Sequence, residues 1–179
     1  MTKRYDAGSS LQAKVLAGVD KLADNVASTL GPRGRNVIIQ QKGKRPIITK
    51  DGVTVAEFVD FEDPFENAAA QIIKQASRQT NSVAGDGTTT ATVLSRAILQ
   101  GAVRHIVAGA SPIDVKRDID AGVEVLVENL RSMSRPIQSE EDIAHIATIS
   151  ANNDPTIGKL VAKAVDSVGK DGSISVEEA

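Results

Sequence analysis

The sequence predicts a mainly α-helical fold with one small β-hairpin. Aromatic residues make up only 2% of the 179 residues, so the core must be built from Ala, Val, Ile and Leu, a composition typical of packed helices. Apolar residues recur every three or four positions through several long stretches, which is the spacing of one helix face. The hairpin is indicated by two short β-branched runs on either side of a polar turn.

The first helix is predicted from about Ser10 to Leu30, and Gly31-Pro32 ends it because proline cannot continue a helix. Residues 36–40 and 46–49 are the two strands of the hairpin. The charged turn between them is most simply a solvated tip, since no aromatic residue accompanies it as in a nucleic-acid site. The Asp51-Gly52 step that follows is a common turn signal.

Capping residues mark the start of the later helices. Asp63 precedes proline and predicts a helix that fades between Thr80 and Ala84, and the next helix runs from the Gly85 loop to Gly109. A fourth long helix begins at Ser111, and two shorter ones begin at Ser139 and Asp154. Residues 172–177 alternate like a strand. The residues expected to face the core are Phe65, Ala69, Ile72, Ile73 and Ala76, then Ile119, Val123, Leu126 and Leu130, and finally Leu160, Val161, Ala164 and Val168.

Composition excludes several classes of function. The formal net charge is −2, so no general basic field points to nucleic acid or to an anionic membrane. The chain has no cysteine, which excludes disulfides and thiolate metal sites and suits a reducing cytosol. We find no signal peptide and no apolar run long enough to cross a bilayer, so the sequence predicts a cytoplasmic protein.

The best candidate for a ligand-binding site in the sequence is the stretch Gly85-Asp86-Gly87-Thr88-Thr89-Thr90. It leads directly into a helix, and a helix N-terminus has unpaired N–H groups and a positive dipole end that suit an anion. Glycine lets the backbone approach a ligand, and threonine hydroxyls add donors. A carboxylate among phosphate-binding groups needs a bridging metal ion. These residues therefore suggest a nucleoside triphosphate with Mg²⁺.

The simpler alternative for this stretch is a glycine turn followed by a threonine-capped helix. The loop is not a Walker A sequence, because no Gly-x-x-x-x-Gly-Lys-Ser/Thr occurs in the chain.

Four segments together resemble the group I chaperonin family, the bacterial GroEL type. They are Thr29-Leu30-Gly31-Pro32-Arg33-Gly34-Arg35-Asn36-Val37, Ile48-Thr49-Lys50-Asp51-Gly52-Val53, Ala84-Gly85-Asp86-Gly87-Thr88-Thr89-Thr90-Ala91-Thr92-Val93-Leu94 and Thr148-Ile149-Ser150-Ala151-Asn152. They occur in order, with family-like spacing, over nearly the whole chain.

The resemblance implies an ATP-driven protein-folding chaperone whose subunits form a homo-oligomeric ring. Residues 1–132 would be the N-terminal half of the helical equatorial, ATP-binding domain. Residues 133–179 would be the first segment of the α/β intermediate domain, with a hinge near residues 132–136. The apical domain, through which the family binds unfolded client proteins and the co-chaperonin lid, would be absent from these residues.

The resemblance also assigns roles to individual residues. Asp86 would hold Mg²⁺, Asp51 would lie near the attacking water as a possible catalytic residue, and the carbonyls of Thr29 and Lys50 would be candidates for a K⁺ ion. The residues that would contact ATP are Thr29, Leu30, Gly31, Pro32, Lys50, Asp86, Gly87, Thr88, Thr89, Thr90, Ile149 and Ser150.

The family's catalytic aspartate and the second half of its equatorial domain are not among these residues. We therefore expect the isolated 179-residue chain to be molten, aggregated or bound to the missing half, because its helices would leave apolar faces open. The alternative function is that of a truncated or split remnant that binds nucleotide or a partner ring without turnover. An unrelated phosphotransferase is the remaining alternative.

Overall fold

The computed structural model describes residues 4–169 and 172–175. As predicted, the described chain is mainly helical, with seven helices and one two-stranded antiparallel sheet. It divides into two compact units, one up to Asp120 and the other from Ala121 onward. The elements are α1 (Gly8–Ala27), β1 (Val37–Ile39), β2 (Ile47–Thr49), α2 (Gly52–Phe58), α3 (Pro64–Ala84), α4 (Thr88–Val107), α5 (Pro112–Met133), α6 (Glu140–Ser150) and α7 (Pro155–Val168).

The core of the first unit lies where α1, α3 and α4 pack against one another, with α2 against all three. Its buried apolar residues are Val19, Leu22, Val26, Val55, Ala56, Ala69, Ala70 and Ile73. Gly18 lets α1 approach α3 closely, because a Cβ atom added there would lie 2.2 Å from the carbonyl oxygen of Glu66. The core is thus built from small aliphatic side chains, as the composition predicts.

Helix α1 ends at Ala27, three residues before the predicted end at Leu30. The cause is local: the backbone N–H and the hydroxyl of Thr29 both donate to the carbonyl of Val26, at 3.1 and 2.8 Å. These bonds tighten the last turn and release the following residues into a loop. The predicted hairpin is confirmed, with Val37 opposite Thr49.

Helix α2 is an element that the sequence pattern does not predict. The Asp51-Gly52 step reads as a turn, but Asp51 is the N-cap of this helix and Gly52 is its first residue. The end of α2 is held to α3 by an ion pair, in which Arg78 donates to both carboxylate oxygens of Glu57 at 2.5 and 2.6 Å. These hydrogen bonds hold the pKa of Glu57 below its usual range.

Lys74 on α3 lies beneath the end of α2 and is only 1% exposed. Its ammonium group donates to the carbonyl of Glu57 at 3.3 Å and to the carboxylate of Asp60 at 3.4 Å. A buried lysine is tolerated when its charge is paired in this way.

The predicted core face of α3 is only partly correct. On α3 the prediction holds for Ala69 and Ile73, but Ile72 is 68% exposed, and the buried face continues instead through Lys74 and Ser77. The pattern misses this face because it includes a lysine and a serine. The buried residues of α4 are Thr88 and Thr92.

The predicted buried stripe of α5 is also wrong, because α5 has no buried residue in the structure. Val123, Leu126 and Leu130 are exposed, and Ile119 is only partly covered. The pattern correctly shows an apolar face, but the described residues supply no surface that covers it.

Within the second unit, which also contains the C-terminal part of α5, helices α6 and α7 are in contact with each other. The capping box of Ser139 and Asp142 and the N-cap at Asp154 are confirmed. Gly158 and Ala162 are the buried residues of α7, whereas Leu160 and Val168, predicted to face inward, are exposed.

The strand predicted at the end of the chain is not seen in its described part. Residues 172–175 have no regular secondary structure, and the rest of the predicted strand lies outside the described residues. None of the helices in the described residues combines the length and the apolar character needed to span a membrane.

Candidate functional site

The loop between α3 and α4 contains two glycines in the left-handed region and leads into a helix start without a side-chain cap. Gly85 and Gly87 have positive φ values of 72° and 82°, so both need glycine's freedom. Helix α4 starts at Thr88 and has no side-chain cap. The N–H groups of Thr88, Thr89 and Thr90 therefore have no partner inside the helix and are available to an acceptor.

Asp86 lies between the two glycines and is exposed. Its Oδ1 atom accepts a hydrogen bond from the N–H of Gly87 at 2.6 Å, which orients the carboxylate at the start of α4. No group of three potential metal-ligating side chains occurs in the part of the chain that the structure describes. Mg²⁺ is commonly held by one or two carboxylates plus the phosphates of a nucleotide, so a single aspartate at this helix start fits that ion.

The three threonines of the loop differ in exposure. Thr88 is buried, and its carbonyl accepts hydrogen bonds from the hydroxyls of Thr92 and Ser77, at 3.1 and 3.4 Å. Thr89 is half-buried and Thr90 is exposed. Thr88 is thus anchored in the core, while the next two residues present the start of the helix to solvent.

The second candidate segment, Thr29 to Pro32, is a loop closed by its own backbone. The N–H of Arg35 donates to the carbonyl of Ser28 at 2.8 Å, and the N–H of Gly34 donates to that of Gly31 at 2.9 Å. Thr29 is buried, whereas Leu30 is 46% exposed, and Gly31 has a φ of 72°. The loop therefore offers backbone groups rather than charged side chains.

Gly34 brings this loop to Lys50. A Cβ atom added to Gly34 would lie 2.1 Å from the carbonyl oxygen of Thr29 and 2.9 Å from Cε of Lys50. The lysine side chain and the Thr29 carbonyl thus border the same small space.

Gly52 brings the segment at Lys50 and Asp51 close to the start of α4, as Gly34 brings the Thr29 loop close to Lys50. A Cβ atom added there would lie 1.9 Å from Oγ1 of Thr89 and 3.3 Å from Cγ1 of Val26. The start of α4 therefore packs directly against the residue that follows Asp51. Through Gly34 and Gly52, the segments at Thr29, Lys50 and Thr89 form one continuous group.

The carboxylate of Asp51 is occupied by its own helix. It accepts hydrogen bonds from the N–H of Val53 at 3.4 Å, the N–H of Thr54 at 2.9 Å and the hydroxyl of Thr54 at 2.6 Å. These bonds define a capping role. The role beside an attacking water stays a prediction.

Replacing Asp51 separates the two roles. Asp51→Ala removes the cap and is expected to destabilise α2 by about 1 kcal/mol, whereas Asp51→Asn keeps a good cap and should have little effect on stability. Thermal unfolding of the intact gene product, whatever its length, measures this difference. If Asp51→Asn nevertheless loses ATP turnover, the negative charge has a chemical role; turnover equal to that of the unmutated protein leaves capping alone.

Ile149 and Ser150 lie in the last turn of α6, in the second unit, and both are exposed. Ser150 lines a mostly apolar groove of about 410 Å³ whose other walls include Ile143 and Ile157. A nucleotide contact by these two residues stays a prediction.

Gly34 and Gly52 are the residues that sequence reasoning misses in this region. Neither has the positive φ that would mark a glycine-dependent turn. Their importance lies in contacts with segments distant in the sequence, and a local pattern carries no signal of such contacts.

Comparison with known proteins identifies the family of the chain. Residues 22–178 match the TCP-1/cpn60 chaperonin family. The chain is similar to the crystal structure of a group III chaperonin in the open state, with a TM-score of 0.74, 25% identity and coverage of 88% of this chain and 32% of that one. It is also similar to the chaperonin gp146 from the bacteriophage EL 2 (Pseudomonas aeruginosa), in a crystal structure in the presence of ATP-BeFx. In this case the TM-score is 0.73 and the identity 29%, with coverage of 88% of this chain and 28% of that one.

The chain spans about a third of the length of these structures. The family match covers most of the chain, and the mainly helical fold with its small hairpin agrees with the same assignment. This chain belongs to the TCP-1/cpn60 chaperonin family.

Proposed function

We propose that the chain is the N-terminal portion of an ATP-driven folding chaperone of group I, the bacterial GroEL type. The four sequence segments favour group I within the family. In this proposal residues 1–132 belong to the equatorial domain and residues 133–179 to the intermediate domain of a cytoplasmic subunit. The subunits assemble into a homo-oligomeric ring, and unfolded clients and a co-chaperonin lid bind through an apical domain beyond these residues.

The phosphates of ATP bind at the start of α4, where the N–H groups of Thr88, Thr89 and Thr90 donate to phosphate oxygens. Asp86 is the protein ligand of Mg²⁺, which offsets phosphate charge when bound. Lys50 adds a positive charge beside the Thr29 loop, and the backbone of Thr29 to Pro32 wraps the nucleotide. The carbonyls of Thr29 and Lys50 are the proposed ligands of K⁺.

One observation carries this proposal: three segments far apart in the sequence pack together at Gly34 and Gly52. A glycine turn with a capped helix, the simpler interpretation of the Gly85 loop, needs neither Lys50 nor the Thr29 loop beside it. The similar phage chaperonin was crystallised in the presence of ATP-BeFx, which also favours a nucleotide ligand.

Binding at this site is proposed to act on the rest of the subunit through the hinge near residues 132–136. Ile149 and Ser150 approach the nucleotide from the intermediate segment, so that a bound nucleotide favours one arrangement of the domains over another. In this proposal Asp51 lies near the water that attacks ATP, and the rate of ATP hydrolysis sets the duration of the chaperone cycle.

Phosphate release from ATP tests the proposal and its alternative. We expect Mg²⁺-dependent ATP turnover from an intact gene product that includes the catalytic aspartate of the family. The 179-residue chain alone should show no turnover above background. Binding of Mg·ATP without turnover in the intact product would favour the non-hydrolysing remnant. Clear turnover by the 179-residue chain would contradict the need for that aspartate.

A further inference from the structure

Gly52 is a glycine for a reason other than backbone conformation. It is the first residue of α2, has no positive φ, and is buried. Alanine would suit a helix better than glycine at such a position. What disfavours a side chain here is the lack of space, since an added Cβ would lie 1.9 Å from Oγ1 and 3.1 Å from Cβ of Thr89.

The atom closest to this added methyl group is the end of a side chain that can rotate. Threonine in a helix has two accessible χ1 rotamers, so a methyl group at residue 52 can be relieved by turning the Thr89 hydroxyl away. The contacts that remain, 3.1 Å to Cβ of Thr89 and 3.3 Å to Cγ1 of Val26, need shifts of only a few tenths of an ångström. The first effect of a side chain here is therefore on the direction of one hydroxyl.

We propose that Gly52 is a positioning residue, which holds the Thr89 hydroxyl beside Asp51 so that it donates to a phosphate of the bound nucleotide. The inference rests on the proposed function and deepens it. Gly52 itself touches no ligand, because it has no side chain and acts only through Thr89. The consequence is that Gly52 and Thr89 should behave as one unit in nucleotide binding.

A double-mutant cycle tests this coupling. Mg²⁺-dependent binding of the non-hydrolysable analogue AMP-PNP is measured by titration calorimetry on the intact gene product, with Gly52→Ala, Thr89→Ala and the double variant. We expect each single change to weaken binding about ten-fold, the effect of one lost hydrogen bond to a charged group. The double variant should be no weaker than either single one, because both remove the same hydrogen bond.

The matched control is Gly101→Ala, which adds the same methyl group within α4 at a place with no neighbouring atom within 4 Å. It should leave the affinity unchanged. A Gly52→Ala variant that binds normally while Thr89→Ala is weak would overturn the inference, as would single effects that multiply in the double variant. If the unmutated protein does not bind Mg·AMP-PNP, the proposed function fails and the inference fails with it.

A Gly52→Ala variant that does not fold is resolved by adding Thr89→Ala. This change removes Oγ1, the atom closest to the new methyl group. Recovery of the fold, with the affinity of Thr89→Ala alone, supports the inference. A double variant that stays unfolded overturns it, because Gly52 would then accommodate Cβ of Thr89 or the side chain of Val26 rather than the hydroxyl.

Discussion

Replacing Asp86 with alanine is expected to lower the affinity for Mg·ATP about 100-fold and to abolish turnover. The reason is that the variant lacks the only proposed protein ligand of Mg²⁺ at the start of α4. A loss of about 100-fold in affinity is in the upper range for the free energy of one interaction between charged groups. The measurement is titration of the intact gene product with Mg·AMP-PNP, followed by phosphate release from ATP.

The Asp86→Asn variant distinguishes a role of Asp86 in binding Mg²⁺ from a role in holding the loop. Asparagine keeps an oxygen that can accept from the N–H of Gly87, as Oδ1 of Asp86 does at 2.6 Å, but it has no charge for Mg²⁺. Both variants should therefore lose affinity alike, and chelation of Mg²⁺ should bring the unmutated protein to the same level. Affinity and turnover within a few fold of the unmutated protein in both variants would show that Asp86 is not the metal ligand. Asp166→Ala, on the exposed face of α7, is the surface control.

Replacing Gly18 with alanine should cause the largest loss of stability. The added methyl group would lie 2.2 Å from the carbonyl oxygen of Glu66 and 2.8 Å from its Cα. These atoms belong to the backbone of α3, so no rotation of a side chain can relieve the contact, and the two helices must move apart. We expect a loss of about 3 kcal/mol, near the upper end for overpacking of a core. The loss is measured on the intact gene product by thermal unfolding and by amide hydrogen exchange within α1 and α3.

Gly101→Ala is again the matched control, since it makes the same change in α4 without a neighbour within 4 Å. It should raise stability by up to about 1 kcal/mol, because alanine favours the helix over glycine. A Gly18→Ala variant as stable as Gly101→Ala would mean that the close approach of α1 to α3 does not hold the first unit together.

The starts of α3, α6 and α7 were predictable from the sequence because their capping signals are local. Asp63 accepts from the N–H groups of Phe65 and Glu66, and Ser139 forms a capping box with Asp142. Such caps need only residues two or three positions apart. The hairpin was predictable for the same reason, from two β-branched runs and the turn between them.

The burial of individual faces was less predictable because it depends on what lies opposite. Ile72 and Leu160 are exposed although their spacing is that of a core face. Lys74 is buried because the carboxylate of Asp60 pairs its charge and the backbone carbonyl of Glu57 accepts a hydrogen bond from it. Hydrophobic spacing describes a helix and not its neighbours.

The residues of the candidate site also differ in how far the sequence predicts them. Glycine, threonine and aspartate in the Gly85 loop predict an anion and a metal directly, from the chemistry of those side chains and of a helix start. The Thr29 loop and Lys50 enter only through the family resemblance. Gly34 and Gly52 enter only through the structure, since the atoms that they accommodate belong to segments distant along the chain.

Helix α2 has only seven residues, well below the length at which a helix persists in water by itself. It is held at one end by the carboxylate of Asp51 and at the other by the ammonium group of Lys74, which binds the carbonyl of Glu57. Val55 and Ala56, which are buried in the core between these two ends, add the packing that so short a segment needs. The order of the residues next to Thr89 therefore depends in part on a lysine buried at the far end of α2.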